Sequence, residues 1–206
     1  LILIVAFCAD QASASSLPTV RNGVLNLTDW DSQENPQLSL EGEWKFYWDR
    51  HIEPSQLDES IRTQGSSAPV PGVWSDLVAP GSSTKKLSKH GIATYTLDIL
   101  ISPNTEKNLS IAIGEIGTSY KLFALSSNQS MLIGEMGRVG QSEQTSSPKI
   151  RTRTIPLNLP SQDRITLIIQ VSNFIGSDAG IIGTPTLGLT EYVEATHRRK
   201  SLWLFL

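Results

Sequence analysis

Strict alternation of apolar and polar residues recurs along this chain and predicts β-strands with one buried face. The two clearest runs are residues 93–101 and 165–171, where an apolar side chain stands at every second position. Shorter runs of the same kind, bounded by turn-forming residues, are 23–30, 109–113, 120–124, 131–133 and 151–157. Because alternation with one solvated face is typical of antiparallel sheets, we predict an all-β, antiparallel β-sandwich.

The most aromatic part of the chain is residues 38–48, and we predict that the fold is organised around this stretch as one strand. Trp44, Phe46 and Trp48 fall on one face of an extended chain, and Tyr47 falls on the opposite, polar face. Each aromatic ring buries roughly 150 to 250 Å², so this row alone would contribute several kcal/mol at about 25 cal/mol per Å².

Helical patterns occur in two places. Residues 53–58 have Pro54 near the start and early carboxylates, which predicts a short helix. Residues 190–206 predict a C-terminal helix with Thr190 as its N-cap and acidic residues in its first turns.

Residues 65–81 are rich in Gly, Pro and Ser, and we predict a loop there. Pro69 and Pro71 lack a backbone N–H, so this run is expected to cross a sheet edge or wrap one end of the sandwich, outside the centre of any sheet.

The two ends are more apolar than the middle. Residues 1–14 combine an apolar run with a small-x-small site at 12–14, which predicts the rear part of a cleaved secretory signal; a buried first strand and an uncleaved anchor helix are the alternatives. Residues 201–206 become apolar directly after the basic cluster 197–200, and we expect the start of a first transmembrane helix at 196–206, the alternative being an amphipathic helix docked on the domain. Residues 20–195 would then form one periplasmic domain of a bacterial inner-membrane protein.

Composition narrows the class of partner. The chain has 206 residues and a formal net charge of −3, which argues against a nucleic-acid partner because such proteins carry basic surfaces. Its single cysteine, Cys8, lies in the predicted signal, so the exported domain is expected to be stabilised by its core without disulfides.

No motif predicts catalysis, a cofactor or a bound metal. The histidines at 51, 90 and 197 are far apart in sequence and have no zinc-type spacing. Asp29 and Asp31 could begin a calcium site but are more typical of a solvated turn. The glycines of residues 134–140 resemble a phosphate loop only in number, and they favour hairpin turns.

Binding is the chemistry that the residues favour. Candidate ligand contacts are rings in or beside loops and side chains with hydrogen-bond donors: Trp74, His90, Tyr95, Tyr120, Arg138, Arg151, Arg153 and Asn173. For Trp74, a ring that plugs the end of the sandwich is an equal alternative. For Tyr95 and Asn173, core or turn roles are the favoured alternatives.

Five motifs follow one another in a specific order, at residues 40–48, 70–74, 91–97, 134–140 and 169–174. Their order resembles the extracellular domain of bacterial seven-transmembrane receptors with diverse intracellular signalling modules. It is similar, more distantly, to the sugar-binding jelly roll of family 2 glycoside hydrolases. Both resemblances imply a galactose-binding-like jelly roll. The first also implies a signal peptide before the domain, and seven membrane helices and a diguanylate cyclase or histidine kinase after it.

Three functions follow as expectations. The first is a sensor that binds a carbohydrate or similar small molecule and passes the change through residues 190–200 into membrane helices. The second is a carbohydrate-binding module of an exported glycoside hydrolase. The third is an interaction domain that recognises a protein, including the partner subunit of a homodimer.

Overall fold

The computed structural model describes residues 17–102, 105, 108–127, 129–149, 153–157 and 163–203, and within them the chain is an antiparallel β-sandwich with a short C-terminal helix. The strands are β1 Val24–Leu27, β2 Gln37–Ser39, β3 Gly42–Trp48, β4 Ser66–Val70, β5 Gly72–Val73, β6 Gly91–Ile101, β7 Leu109–Ile113, β8 Ile116–Gly117, β9 Ser119–Ser126, β10 Gln129–Met136, β11 Arg153–Pro156, β12 Arg164–Asn173, β13 Gly180–Ile181 and β14 Thr186–Leu189. The helices are α1 Glu59–Gln64 and α2 Thr190–Trp203, and short 3-10 turns span Pro54–Gln56 and Trp74–Asp76. The predicted all-β antiparallel sandwich is confirmed.

The strands form three sheets. The larger sheet has seven strands in the order β10-β9-β12-β6-β3-β4, and β1 joins it by pairing with β6. The facing sheet has four strands in the order β11-β7-β14-β2, and β5, β13 and β8 form a third, small sheet. All pairs are antiparallel except β1 with β6, which is parallel.

The core lies between the two larger sheets, as the alternation predicts. Leu97 and Ile99 of β6 and Leu167 and Ile169 of β12 are fully buried there, beside Ile111 of the facing sheet. The inward face of each central strand is therefore apolar along its whole length, which is the main source of hydrophobic stabilisation.

The aromatic stretch is two strands in different sheets, so its prediction as one strand was wrong. β2 pairs with β14 of the facing sheet, whereas β3 pairs with β4 and β6 of the larger sheet. The chain crosses between them at Gly42, which has φ +138° and whose missing Cβ would lie 2.3 Å from the carbonyl oxygen of Val20. Only glycine fits a corner that is both strained and crowded.

Tyr47 was predicted on a polar face, but it is 3% exposed. Residues 49–64, here called the strap, cross the outer face of the larger sheet and cover it. Tyr47, Ile52, Leu57 and Ile168 form a second, smaller apolar cluster under the strap. The larger sheet is consequently buried on both faces near its centre.

Buried polar contacts hold the strap onto the sheet. Thr94 Oγ1 donates to the carbonyl of Arg50 at 2.7 Å and accepts from the amide of Ile52 at 3.0 Å. Gln170 Nε2 donates to the carbonyl of Ile52 at 3.1 Å and to Glu53 Oε1 at 2.9 Å. The polar residues of the outer sheet face are therefore partners of the strap backbone, which satisfies groups that burial would otherwise leave costly.

The helix predicted at residues 53–58 is a single 3-10 turn at Pro54–Gln56, and the α-helix α1 follows it. Asp58 caps α1 by accepting a hydrogen bond from the amide of Ile61 at 2.9 Å. α1 escaped prediction because it has six residues, none of them buried, and so no apolar periodicity.

The loop predicted at residues 65–81 contains β4, β5 and a 3-10 turn, so it is more regular than expected. The expectation that its prolines lie at an edge is confirmed. β4 is the last strand of the larger sheet, and Pro69 stands opposite Glu43.

The C-terminal helix α2 starts at Thr190, directly after β14, and packs on the four-stranded sheet. Thr190 Oγ1 donates to the carbonyl of Asn108 at 3.1 Å, and Thr196 Oγ1 donates to Gln37 Oε1 at 2.9 Å. No helix within the described residues is long and apolar enough to cross a membrane. The predicted signal at 1–14 lies outside the described residues, and the predicted membrane segment at 196–206 stays a prediction.

Candidate functional site

A cleft of about 800 Å³ lies beside the outer face of the larger sheet, between the strap and the β9–β10 hairpin. Its lining mixes charged, hydroxyl and apolar side chains. They are Pro54, Ser55, Leu57, Asp58 and Arg62 from the strap, Leu125, Ser127 and Ser130 from the hairpin, and Asp163, Arg164 and Thr166 at the start of β12. Three separate segments of the chain thus meet around one opening.

An ion pair fixes the guanidinium of Arg62 in this cleft. Nη1 of Arg62 donates to both carboxylate oxygens of Asp98, at 2.8 and 2.9 Å, and Nη2 donates to Thr166 Oγ1 at 3.3 Å. Thr166 Oγ1 in turn donates to Asp98 Oδ1 at 2.6 Å. Asp98 and Thr166 stand opposite each other on paired strands, so the acceptor pair is built into the sheet. The side chains of Arg62 and Asp98 are 20% and 15% exposed, so the pair is partly shielded from water.

The rim of the cleft carries polar side chains that no described residue engages. Asp163 and Arg164 are exposed, and within the described part of the chain their side chains make no hydrogen bond or ion pair. The hydroxyl groups of Ser55 and Ser130 are likewise exposed and not engaged by a described residue. Hydrogen-bond donors and acceptors, together with one negative and one positive charge, are therefore available to a ligand.

Two predicted site residues, Trp74 and Asn173, lie in the core and meet at one backbone group. Trp74 is fully buried, with Nε1 donating to the carbonyl of Lys89 at 3.1 Å, and its ring packs nearly perpendicular to that of Trp48, with 5.2 Å between ring centres. Asn173 is also fully buried, with Nδ2 donating to the same carbonyl at 3.0 Å and Oδ1 accepting from the amide of Gly176 at 2.8 Å. Trp74 is thus a buried core ring, and Asn173 closes the turn to Gly176, as its turn alternative describes.

Tyr95 and Tyr120 are buried too. Tyr95 is 1% exposed and packs against Phe46 at 4.9 Å between ring centres, and burial raises the pKa of its phenol. Tyr120 is 1% exposed, and its hydroxyl has no hydrogen-bond partner in the described structure. Burial raises the pKa of Tyr120, and the positive charge of Arg153 partly opposes that effect.

The remaining candidates do not converge. His90, Arg138 and Arg153 are exposed, and none of them lines the cleft. Arg151 lies outside the described residues. The structure therefore groups Trp74 with Asn173 in a structural role and does not gather the seven predicted residues that it describes into one site.

Sequence inspection missed the residues of the cleft, although one signal was present. Asp98 is the only charged residue inside the alternating run 93–101, and charged residues are depleted in strands. A carboxylate in the middle of such a strand indicates a basic side chain nearby that pairs with it. The partner, Arg62, lies on α1, which the sequence pattern did not predict.

The histidine of the strap, His51, lies against the larger sheet. His51 is half-buried in the strap, with Nε2 3.2 Å from the carbonyl oxygen of Val171, and burial lowers the pKa of its ring. Among the described residues, no three His, Cys, Asp or Glu side chains are grouped so that they could hold a metal ion.

Comparison with known proteins identifies the fold. No protein-family model matches the chain, and no curated protein matches it. A glycosyl hydrolase family 2 member from Bacteroides cellulosilyticus has a TM-score of 0.55 at 13% identity, over 74% of this chain and 20% of that one. A β-glucuronidase from Ruminococcus gnavus has a TM-score of 0.50 at 14% identity, over 74% of this chain and 28% of that one. The predicted likeness to the family 2 hydrolase jelly roll is thus confirmed as a likeness of fold, over a minor part of those proteins, and the resemblance to receptor domains stays a prediction.

Proposed function

We propose that this chain is a non-catalytic domain that binds a carbohydrate in the cleft between the strap and the β9–β10 hairpin. The observation that carries the proposal is the fixed guanidinium of Arg62 beside a rim of unused groups of both signs. A sugar presents hydroxyl groups that both donate and accept, so it can satisfy Asp163, Arg164 and Ser130 together.

The wall of the cleft is also partly apolar. Leu125 lines it as a half-buried side chain beside Pro54 and Leu57, which are buried, so the C–H face of a sugar ring can contact Leu125 while its hydroxyl groups reach the polar rim. The sandwich fold, which this chain shares with parts of solved glycoside hydrolases, is compatible with an accessory module of an exported hydrolase.

Titration calorimetry of the purified protein with a panel of neutral and acidic oligosaccharides tests the proposal. For any sugar that binds, Arg164→Ala is expected to weaken affinity by about tenfold or more, because a hydrogen bond to a charged group contributes roughly 1.5 to 3 kcal/mol. Arg153→Ala is the matched control, since Arg153 is likewise an exposed first residue of a strand but lies outside the cleft. Absence of binding across the panel, or equal losses in both variants, contradicts the proposal.

A second candidate is the periplasmic sensor domain of a membrane receptor that signals to a cytoplasmic diguanylate cyclase or histidine kinase. The observation that favours it is the direct connection of β14 to α2, with Leu189 in the sheet and Thr190 already in the helix. Such a joint passes a movement of the sheet to the following helix without an intervening flexible loop.

Hydrogen exchange with and without a bound sugar separates the two candidates. A sensor must change between states of different ligand affinity, so the amide protection of α2 is expected to change on binding. An accessory module is expected to show changes confined to the strap, the hairpin and the start of β12.

A further inference from the structure

The free edge of the larger sheet at β10 has, in its first half, neither the prolines nor the basic side chains that commonly prevent strands from pairing between molecules, and its one irregularity is a register shift after Leu132. β10 has eight residues, contains no proline, lysine or arginine, and carries one charge, that of Glu135. Its other side pairs with β9, and within the described residues no strand pairs with its free side. Unpaired N–H and C=O groups of this kind are a template for another strand.

The other edge strands of the two larger sheets, β4, β11, β2 and β1, differ from β10 in this respect. β4 contains Pro69, which cannot donate to a ladder, and β11 ends in Pro156 and begins with the exposed Arg153. β2 has three residues and follows Pro36, and β1, which pairs only with β6, has four residues. Short strands, prolines and basic side chains are the usual protection of sheet edges, so the contrast singles out β10.

The surface of β10 is also unusually apolar. Met131 and Leu132 are 50% and 48% exposed, and because they are consecutive they project from opposite faces of the strand. Residues 129–132 are all exposed, and a register shift between Leu132 and Gly134 separates them from the buried end of the strand. The regular, accessible part of the edge is therefore residues 129–132.

We propose that two copies of this chain associate through β10, edge to edge, so that the larger sheet continues antiparallel from one copy into the other. A twofold axis perpendicular to the sheet produces this antiparallel pairing and makes the contact self-complementary. The accessible segment of residues 129–132 has no charge, so pairing opposes no like charges, and the two Glu135 side chains point to opposite ends of the joint. Because the same uncharged segment of each copy meets across the twofold axis, we assign a second copy of this chain as the partner.

The dimer has a consequence for the cleft. Ser130 belongs to β10 and also lines the cleft, so the partner strand lies next to the ligand opening. One edge-to-edge strand pair buries little surface compared with the roughly 1,200 to 2,000 Å² of stable complexes. The association is therefore expected to be weak and to depend on protein concentration.

Sedimentation velocity over a concentration series tests the proposal with the whole chain. The wild type is expected to shift from the mass of one chain, 22.5 kDa, toward twice that mass as concentration rises. The double variant Met131→Lys/Leu132→Lys is expected to stay monomeric, because it places two lysines on each strand of the short joint, and lysine on an edge strand opposes pairing. Val78→Lys is the matched control, since Val78 is 44% exposed and lies away from β10, and it is expected to dimerise like the wild type.

Hydrogen exchange supplies an independent readout that does not require a variant. In the wild type, amide protection along β10 is expected to increase with protein concentration, while protection along the edge strand β4 stays constant. A wild type that is monomeric at every concentration overturns the proposal and leaves the edge to a strand from another protein. A dimer that survives the double variant, or that is lost equally in Val78→Lys, also overturns it.

Discussion

Asp98 and Arg62 show how single polar residues connect the fold to the cleft. Asp98 stands in a central strand, where its carboxylate is shielded by the strap and is acceptable only because Arg62 and Thr166 satisfy it. The same contacts hold the guanidinium at a fixed position in the cleft. The contacts that stabilise the shielded carboxylate of Asp98 therefore also position the Arg62 guanidinium in the cleft.

Replacement of Asp98 alone is expected to be more harmful than replacement of both partners. Asp98→Leu leaves the shielded guanidinium of Arg62 without its counter-ion, and we expect a loss of about 2 kcal/mol in the free energy of unfolding, less than the ~3 to 5 kcal/mol of a fully buried pair. Arg62→Leu/Asp98→Leu removes both charges and is expected to recover part of that loss. Urea unfolding of the wild type, both single variants and the double variant measures these differences. Additive losses in the double variant would show that the pair is not coupled.

At the scale of elements, corners and the strap account for most of what sequence patterns could not predict. The alternation of residues 93–101 and 165–171 predicted the two central strands, because burial imposes a period of two on an antiparallel sheet. Alternation in residues 38–48 could not separate β2 from β3, since the apolar pattern continues across the corner at Gly42. The sequence pattern also missed α1, and with it Arg62, because a short exposed helix held by polar contacts has no apolar period.

Two glycines with positive φ are expected to respond very differently to the same substitution. Gly42→Ala places a methyl group against the carbonyl of Val20 at a corner with φ +138°, and we expect a loss of several kcal/mol, on the scale of overpacking with backbone strain. Gly81→Ala has φ +76° and no neighbouring atom within 4 Å, so its expected loss is about 1 kcal/mol from backbone conformation alone. Thermal or urea unfolding of the two variants makes the comparison. Equal losses would mean that crowding at the corner does not limit the fold.

The strap is expected to make stability depend on pH through His51. Burial lowers the pKa of His51 below its ordinary value of 6.5, although the carbonyl of Val171 and the charge of Glu53 act in the opposite direction. As pH falls below about 6.5, the unfolded chain binds a proton before the folded chain does, so the free energy of unfolding decreases until the folded ring is also protonated. His51→Asn is expected to flatten this acid-side decrease when unfolding is followed from pH 7.5 to 5, and His90→Asn is the matched control. An unchanged slope in His51→Asn would remove His51 as its source.

At the scale of the whole molecule, the fold class was predictable and the site was not. Apolar alternation and the turn residues were sufficient for a sandwich, because the fold depends on which faces are buried. The proposed site depends on where the strap lies relative to the β9–β10 hairpin, and these segments are about 70 residues apart in sequence and brought together only by sheet order. Trp74 and Tyr95 were predicted as candidate ligand contacts because large aromatic rings pack equally well in a core and against a ligand.

The cleft is walled by two excursions from the sandwich, the strap after β3 and the tip of the β9–β10 hairpin. The strap contributes no residue to the main core between the sheets, and the hairpin residues that line the cleft, Leu125, Ser127 and Ser130, lie outside that core as well. Insertions or deletions at either excursion can therefore widen, narrow or close the opening while the scaffold keeps its stability. Specificity in this architecture is free to diversify by changes in segment length, without any exchange of core residues.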